Sequence, residues 1–316
     1  MNENRSVYYI YMIICFSIHI TRVSRCLGLN SNGGGGMKLI AIDLDGTLLG
    51  PDKKISLEDI KAIHKVQKEG HIVMICSGRA PQDVKQILQH HGLSCPIAAS
   101  NGTFVEINQE IKNMISIKGN EVKKITKKLD DLDIPYRLYT NQGIFEHVDW
   151  MNRVHRSLNR LNEENQRNFR RYTEEPLHSA FKKIYDNLDK ILEINDLYIQ
   201  KIFILLFEKE KKEEVLSGLQ ENNSIYITSS GVFNVEIMDK TGDKGNGLKV
   251  VADYFSIPLN ETIAIGDNYN DLPMLKSAGL PIAMGNAISE VKSFCNIITL
   301  SNEKNGVAYA LNSFLS

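Results

Sequence analysis

The sequence predicts an α/β protein, a doubly wound parallel sheet into which a second α/β domain is inserted. Three observations predict it. Short continuous apolar runs alternate with helical patterns near both ends of the 316-residue chain. The sharpest polar motifs each follow directly on one of those runs. Between the two regular stretches lies a Lys-, Glu-, Arg- and Asn-rich segment of different character.

The elements follow in order. Leu39-Ile40-Ala41-Ile42 reads as a strand buried on both faces and ends at Asp43. Ser56 opens a helix with Asp59 placed for a capping box, an apolar stripe of Leu57, Ile60, Ile63 and Val66, and Gly70 as its stop. Ile72 to Cys76 is a second strand, Pro81 to His91 a helix ended by Gly92, and Ile97 to Ala99 a third strand. The same pattern returns later. Leu248 to Phe255 is helical, Thr262 to Ile265 a strand, Leu272 to Ala278 a helix and Ile282 to Met284 a strand. In the intervening segment, helices are expected at Glu121 to Leu132 and Met151 to Phe169. Strands are expected there at Ile202 to Phe207, Ser224 to Thr228 and Phe233 to Ile237. The resulting division is 37–118 for the first part of the core, 119–238 for the insert and 239–316 for the rest of the core.

Residues 1–36 read as a leader outside the fold. Val7 to Ile20 is mostly apolar but short of the roughly 20 residues that cross a bilayer, and four glycines precede Met37. No membrane association is expected. A formal net charge of −1 gives no global field toward nucleic acid or anionic lipid, so a bound anion needs a local site. The five scattered cysteines form no CxxC pair, which suits reduced thiols in the cytoplasm, with Cys76 in the core. Nothing in the sequence indicates an oligomeric state.

Asp43-Leu44-Asp45-Gly46-Thr47 places two carboxylates at the end of a buried strand, followed by a glycine for a tight turn. A carboxylate can attack phosphorus and be released when water attacks the acyl phosphate. A second acid beside it can protonate the leaving oxygen and then deprotonate that water. Gly266-Asp267-Asn268-Tyr269-Asn270-Asp271 follows another strand and offers hard oxygen ligands suited to Mg²⁺. Two like charges 4 Å apart cost on the order of 4 kcal/mol at an effective dielectric of 20, so a phosphate dianion needs a cation there. Ser77-Gly78-Arg79 ends the second strand, where a hydroxyl and backbone N–H groups can hold phosphoryl oxygens. Lys244 stands where the insert rejoins the core, able to pair with a nucleophile and a phosphoryl group.

In this order and spacing, DLDGTLL, SGR, SNGTF, DKGNGL and GDNYNDLPML resemble the haloacid dehalogenase superfamily, specifically its Cof-type phosphatases, over essentially 37–316. The resemblance implies a Rossmann-like core with an inserted α/β cap, and a magnesium-dependent phosphatase working through an aspartyl-phosphate. It implies Asp43 as nucleophile and Asp45 as general acid/base. Phosphate would be held by Leu44, Ser77, Gly78, Lys244 and Asn270, and Mg²⁺ by Asp43, the carbonyl of Asp45 and Asp267. Asp271 would orient the metal shell or Lys244, and Asn101 would lie near the leaving group. Gly247 replaces the alanine common in relatives and reads as a helix-start detail.

The implied substrate is a small phosphorylated metabolite, with sugar phosphates and 5-amino-6-(5-phospho-D-ribitylamino)uracil ranked first. A phosphotransferase or phosphomutase with the same chemistry is an alternative, as is a non-enzymatic phosphate-ligand sensor, against which the intact acidic set argues. The arginines at 153, 156, 160, 167, 170 and 171 are interspersed with Glu163, Glu164, Glu174 and Glu175 and read as an ion-paired helix face. Tyr136 and Tyr139 read as cap core, and Trp150 carries no functional signal.

Overall fold

The computed structural model describes residues 36–161, 166, 181–219 and 222–315. The leader at 1–36 therefore lies almost entirely outside the described residues, as do Glu163, Glu164, Arg167, Arg170, Arg171, Glu174 and Glu175. No helix among the described residues is long and apolar enough to cross a membrane.

The chain begins with β1 (Leu39–Asp43), α1 (Leu57–Lys68), β2 (Ile72–Cys76), α2 (Pro81–His90), β3 (Ile97–Ala99) and the hairpin β4 (Phe104–Ile107) and β5 (Glu110–Met114). It continues with α3 (Gly119–Asp131), β6 (Tyr136–Thr140), β7 (Gly143–His147), α4 (Trp150–Asn159) and β8 (Lys182–Tyr185). Next come α5 (Leu188–Leu192), β9 (Ile199–Leu205), α6 (Lys209–Ser217), β10 (Ile225–Thr228) and β11 (Asn234–Asp239). The last stretch holds α7 (Lys244–Tyr254), β12 (Thr262–Gly266), α8 (Leu272–Ser277), β13 (Leu280–Ala283), α9 (Ser289–Phe294), β14 (Ile297–Ile298) and α10 (Gly306–Phe314).

Two sheets result. The first has the order β14-β13-β12-β1-β2-β3-β4-β5, parallel from β14 to β3 and antiparallel through the hairpin. The second has the order β10-β11-β9-β6-β7-β8 and is antiparallel except between β7 and β8. Strands β1, β2 and β12 are apolar and almost wholly buried, as a sheet covered on both faces requires. Chain order reverses at β1, with β2 on one side and β12 on the other. That is a topological switch point, and the crevice beyond its carboxyl ends is where such sheets bind ligands.

Several local expectations need correction. Ser56 caps α1 by accepting from the Asp59 N–H, but Asp59 does not complete the box. Its carboxylate instead accepts from Ser56 Oγ and from the Ala308 N–H of α10. Leu57 is exposed, so the stripe of α1 is carried by Ala62, Ile63 and Val66. The helix expected from Leu248 begins four residues earlier, at Lys244, because Asp243 accepts from the Asn246 N–H and caps it. The helix expected over Met151 to Phe169 is α4 up to Asn159, with Arg160 at its end; 162–165 and 167–169 lie outside the described residues. The β4–β5 hairpin turns on Asn108 and Gln109, both at positive φ without a glycine, which gave no turn signal.

Against the second sheet, Trp150 of α4 is buried under the Arg137 guanidinium of β6, 4.2 Å from the ring centre, and Arg137 pairs with buried Glu146. Arg153, Arg156 and Arg160 are ion-paired, with Asp130, Asp133 and Asp149, while the interspersed glutamates expected beside them lie outside the described residues.

Gly247 is more than a helix-start detail. It is buried in α7, and a Cβ there would lie 2.7 Å from Ala98 Cβ and 3.2 Å from Gly102 Cα. Both neighbours are tied to backbone and have no rotamer to yield. Gly247→Ala gains about 1 kcal/mol of helix propensity but incurs the 1–3 kcal/mol cost of overpacking, so a net loss of about 1 kcal/mol is expected. Thermal unfolding checks it: Tm should fall, and adding Ala98→Gly should recover part of the loss. An unchanged or raised Tm in the single variant would show that α7 moves away freely.

Candidate active site

Strand β1 delivers Asp43 to the crevice, 4% exposed. The chain then turns tightly, with Leu48 N–H donating to Asp43 O and Leu49 N–H to Leu44 O. Gly46 is required in that turn on two counts. Its φ is +83°, and a Cβ would come within 2.4–2.9 Å of the Asp267 carboxylate. Leu44 packs wholly into the core, so only its backbone is free to meet a phosphate.

On the neighbouring strand, β12 ends at Gly266, whose missing side chain leaves room for the Asp271 carboxylate. Asp271 is wholly buried and fully engaged. One of its oxygens accepts from the Asp267 and Asn268 N–H groups at 2.9 Å each, and the other from Lys244 Nζ at 2.6 Å. Lys244, on the first turn of α7 and also wholly buried, donates a second bond to Asp43 Oδ1 at 2.5 Å. Thr47 Oγ1 donates to Asp267 Oδ1 at 2.9 Å. Residues 201 and 220 positions apart in sequence are thereby brought into one cluster.

An oxygen from each of Asp43, Asp267 and Asp271 lies within 4.8 Å of the others. This donor set of hard, buried carboxylate oxygens fits a divalent cation such as Mg²⁺. Burial, followed by repulsion from Asp271, raises the pKa of Asp43 well above the usual carboxylate range and that of Asp267 to about 7. For Lys244 burial opposes the charge, but Asp271 and Asp43 outweigh it and raise its pKa. Because Asp271 already serves three donors, its geometry supports a role in orienting Lys244 and the Asp267 turn. Asp43 and Asp267 are better placed as ligands.

Asp45 meets a different partner. Arg79 grips it as a two-pronged fork, Nε to Oδ2 at 2.6 Å and Nη2 to Oδ1 at 2.7 Å, with Lys53 Nζ at 3.4 Å. Burial pushes its pKa up, but Arg79 and Lys53 prevail and hold it below the usual range. Buried Ser77 accepts from the Arg79 N–H, fixing the loop that carries the fork. Asn101 is buried with left-handed backbone (φ 58°), beside Ser100 at φ 47°, and accepts from Asn270 Nδ2 at 3.1 Å. Cys76 lies just behind, its thiol pushed by burial to about 12, and is core as expected.

A cavity of about 380 Å³ opens over these groups, lined by Asp43, Asp45, Gly78, Arg79, Asn268 and Asn270 from the first sheet's loops. Its opposite wall comes from the second sheet: Tyr139, Lys201, Phe203, Leu205, Asn234 and Glu236. Tyr139, expected in the cap core, thus lines the cavity. Thr47, Lys201 and Glu236 were not anticipated, and Arg79 only as part of a tripeptide. A charge interrupting an apolar strand, as in IQKIFIL and NVEIMD, is the signal that marks the last pair.

Titration with Mg²⁺ is expected to raise Tm, because the cation binds only the folded acidic cluster. In Asp267→Asn the shift should vanish. An equal shift in both proteins would remove Asp267 from the cation site.

The family model for haloacid dehalogenase-like hydrolases matches residues 40–311. The chain is 33% identical over 286 residues to the 5-amino-6-(5-phospho-D-ribitylamino)uracil phosphatase YwtE of Bacillus subtilis, covering 89% of this chain and 99% of that protein. It is 31% identical over 287 residues to the phosphatase YwpJ of the same organism, covering 88% and 100%. Among solved structures it is similar to a haloacid dehalogenase-like hydrolase from B. subtilis, with a TM-score of 0.76 and 28% identity over 88% of this chain and all of that one. It is also similar to the phosphatase BT1666 of Bacteroides thetaiotaomicron, with a TM-score of 0.72 and 25% identity over 91% and 98%. With the motifs, the parallel sheet and the acidic crevice in agreement, this chain belongs to the haloacid dehalogenase-like hydrolases.

Proposed function

We propose that the protein is a magnesium-dependent phosphatase that hydrolyses a small phosphorylated metabolite through an aspartyl-phosphate on Asp43. One observation carries the reading: a buried ammonium, Lys244, bridges Asp43 and Asp271, with Asp267 beside them, and Asp43 opens onto the cavity. Binding alone needs no such nucleophile.

Asp43, Asp267 and the carbonyl of Asp45 would hold Mg²⁺, which supplies positive charge against the phosphate oxygens. Lys244, Ser77, Gly78, Leu44 and Asn270 orient the phosphoryl group toward Asp43. An Asp43 oxygen forms the bond to phosphorus as the ester oxygen leaves with a proton from Asp45. Water then attacks phosphorus, Asp45 takes its proton, and Asp43 and inorganic phosphate are released. The Arg79 fork holds Asp45 as a carboxylate, the form that activates water. It must loosen before Asp45 can carry the proton of the first step, and a bound phosphate offers Arg79 a competing anion.

We take residues 119–238 as the cap over this site, with 37–118 and 239–316 as the core. The names of the relatives YwtE and YitU support 5-amino-6-(5-phospho-D-ribitylamino)uracil as substrate, with a sugar phosphate the other candidate. The described cysteines are free, which supports a reducing cytoplasmic setting.

A screen of phosphorylated metabolites with purified protein and Mg²⁺ is expected to find turnover that EDTA stops and Mg²⁺ restores. Metal-independent hydrolysis would contradict the assignment. Asp43→Asn is expected to fold and lose on the order of 1,000-fold or more in kcat. Substantial remaining turnover would rule out Asp43 as nucleophile.

A further inference from the structure

Lys201 of β9 and Glu236 of β11 interrupt apolar strands, yet their side chains are only 1% and 2% exposed. Alternation along the strands places Lys201, Phe203 and Leu205 on one face, and pairing of Glu236 with Phe203 puts the glutamate on that face as well. This is the face that lines the cavity. The two charges pair with each other at 2.9 Å, and both then reach across to loops of the first sheet.

Lys201 Nζ donates to the Gly78 carbonyl at 2.5 Å, and Asn101 Nδ2 donates to Glu236 Oε2 at 2.7 Å. Each contact leads on to a different part of the reaction machinery. Gly78 precedes Arg79, whose fork holds Asp45. Asn101 accepts from Asn270, the candidate phosphate ligand, and keeps its left-handed backbone while doing so. Ser230 Oγ, in the loop before β11, donates at 3.0 Å to Glu236 Oε1, the oxygen that Lys201 also bonds, and so helps to fix the pair. Merely joining two domains does not need buried charges, since apolar residues of similar volume serve as well or better.

We propose that Lys201 and Glu236 are positioning residues for the phosphatase reaction: they set the Gly78–Arg79 loop and the Asn101–Asn270 pair, and so align Asp45 and the phosphate site. The inference rests on the phosphatase reading, but its test separates the two.

The double variant Lys201→Met, Glu236→Met removes both charges together, so neither is left buried alone, and releases the Gly78 carbonyl and the Asn101 amide from the second sheet. It is expected to fold, which far-UV circular dichroism and a cooperative thermal transition check. Its kcat on the best substrate should nevertheless fall about 10- to 100-fold, the usual scale for reacting groups displaced by roughly 1 Å. KM should change much less, because the groups lost act on alignment. In a crystal structure of the variant the Arg79–Asp45 fork or the Asn101–Asn270 bond should be broken. A folded variant with kcat within about twofold of wild type would overturn the proposal. So would a crystal structure with both contacts at their original distances. If the wild-type protein turned over no phosphate ester, the function reading would fall, while the crystallographic comparison would still decide the positioning role.

Discussion

Three buried carboxylates share one ammonium at the carboxyl ends of β1 and β12, and the rest of the site is organised around that imbalance. Like charges about 4 Å apart repel by on the order of 4 kcal/mol at a dielectric of 20. Lys244 answers part of this by bonding Asp43 and Asp271 together. Burial, with the repulsion left over, raises the pKa values of Asp43 and Asp267, the latter to about 7. A proton can fill the deficit near neutral pH, but a divalent cation fills it while leaving an Asp43 oxygen free to attack. The arrangement therefore stores its demand for a cation in the fold itself.

Glycines allow carboxylates to approach so closely. Gly46 yields space to Asp267 and Gly266 yields it to Asp271, and at both positions an added Cβ would fall within 3 Å of a carboxylate atom. The parallel register of β1 with β12 brings those two turns side by side. Capping by Asp243 starts α7 at Lys244, which sets the ammonium into the cluster instead of into solvent. On the facing side the second sheet contributes a wall that is aromatic at Tyr139 and Phe203 and charged at Lys201 and Glu236. The wall limits what leaving group fits, and its charged pair reaches the loops that hold Asp45 and Asn270.

The parallel strands were legible because burial on both faces writes a continuous apolar run, and every motif residue at their ends was found where the run stopped. Asp43 and Asp267 could be named from the sequence for that reason, whereas Lys244, at the start of α7, stood out only in the company of the other motifs. The β4–β5 hairpin was not legible, because its strands mix polar and apolar residues and Asn108-Gln109 lacks the usual turn glycine. β7 and β8 were missed for a related reason: β8 is an exposed edge reading Lys-Lys-Ile-Tyr. The Arg79–Asp45 fork spans 34 residues and depends on a loop conformation that no local pattern encodes. Lys201 and Glu236 gave a visible signal, a charge inside an apolar strand. Their partners become known only once the two sheets face one another.

On the proposed reading Asp43 and Asp267 share one cation while Lys244 stays on Asp43 and Asp271. The most direct measurement is a crystal structure with Mn²⁺ in place of Mg²⁺, with the ion located by its anomalous scattering. One peak is expected within bonding distance of an Asp43 and an Asp267 oxygen. A peak held elsewhere, or bound to Asp271 with Lys244 displaced, would contradict it.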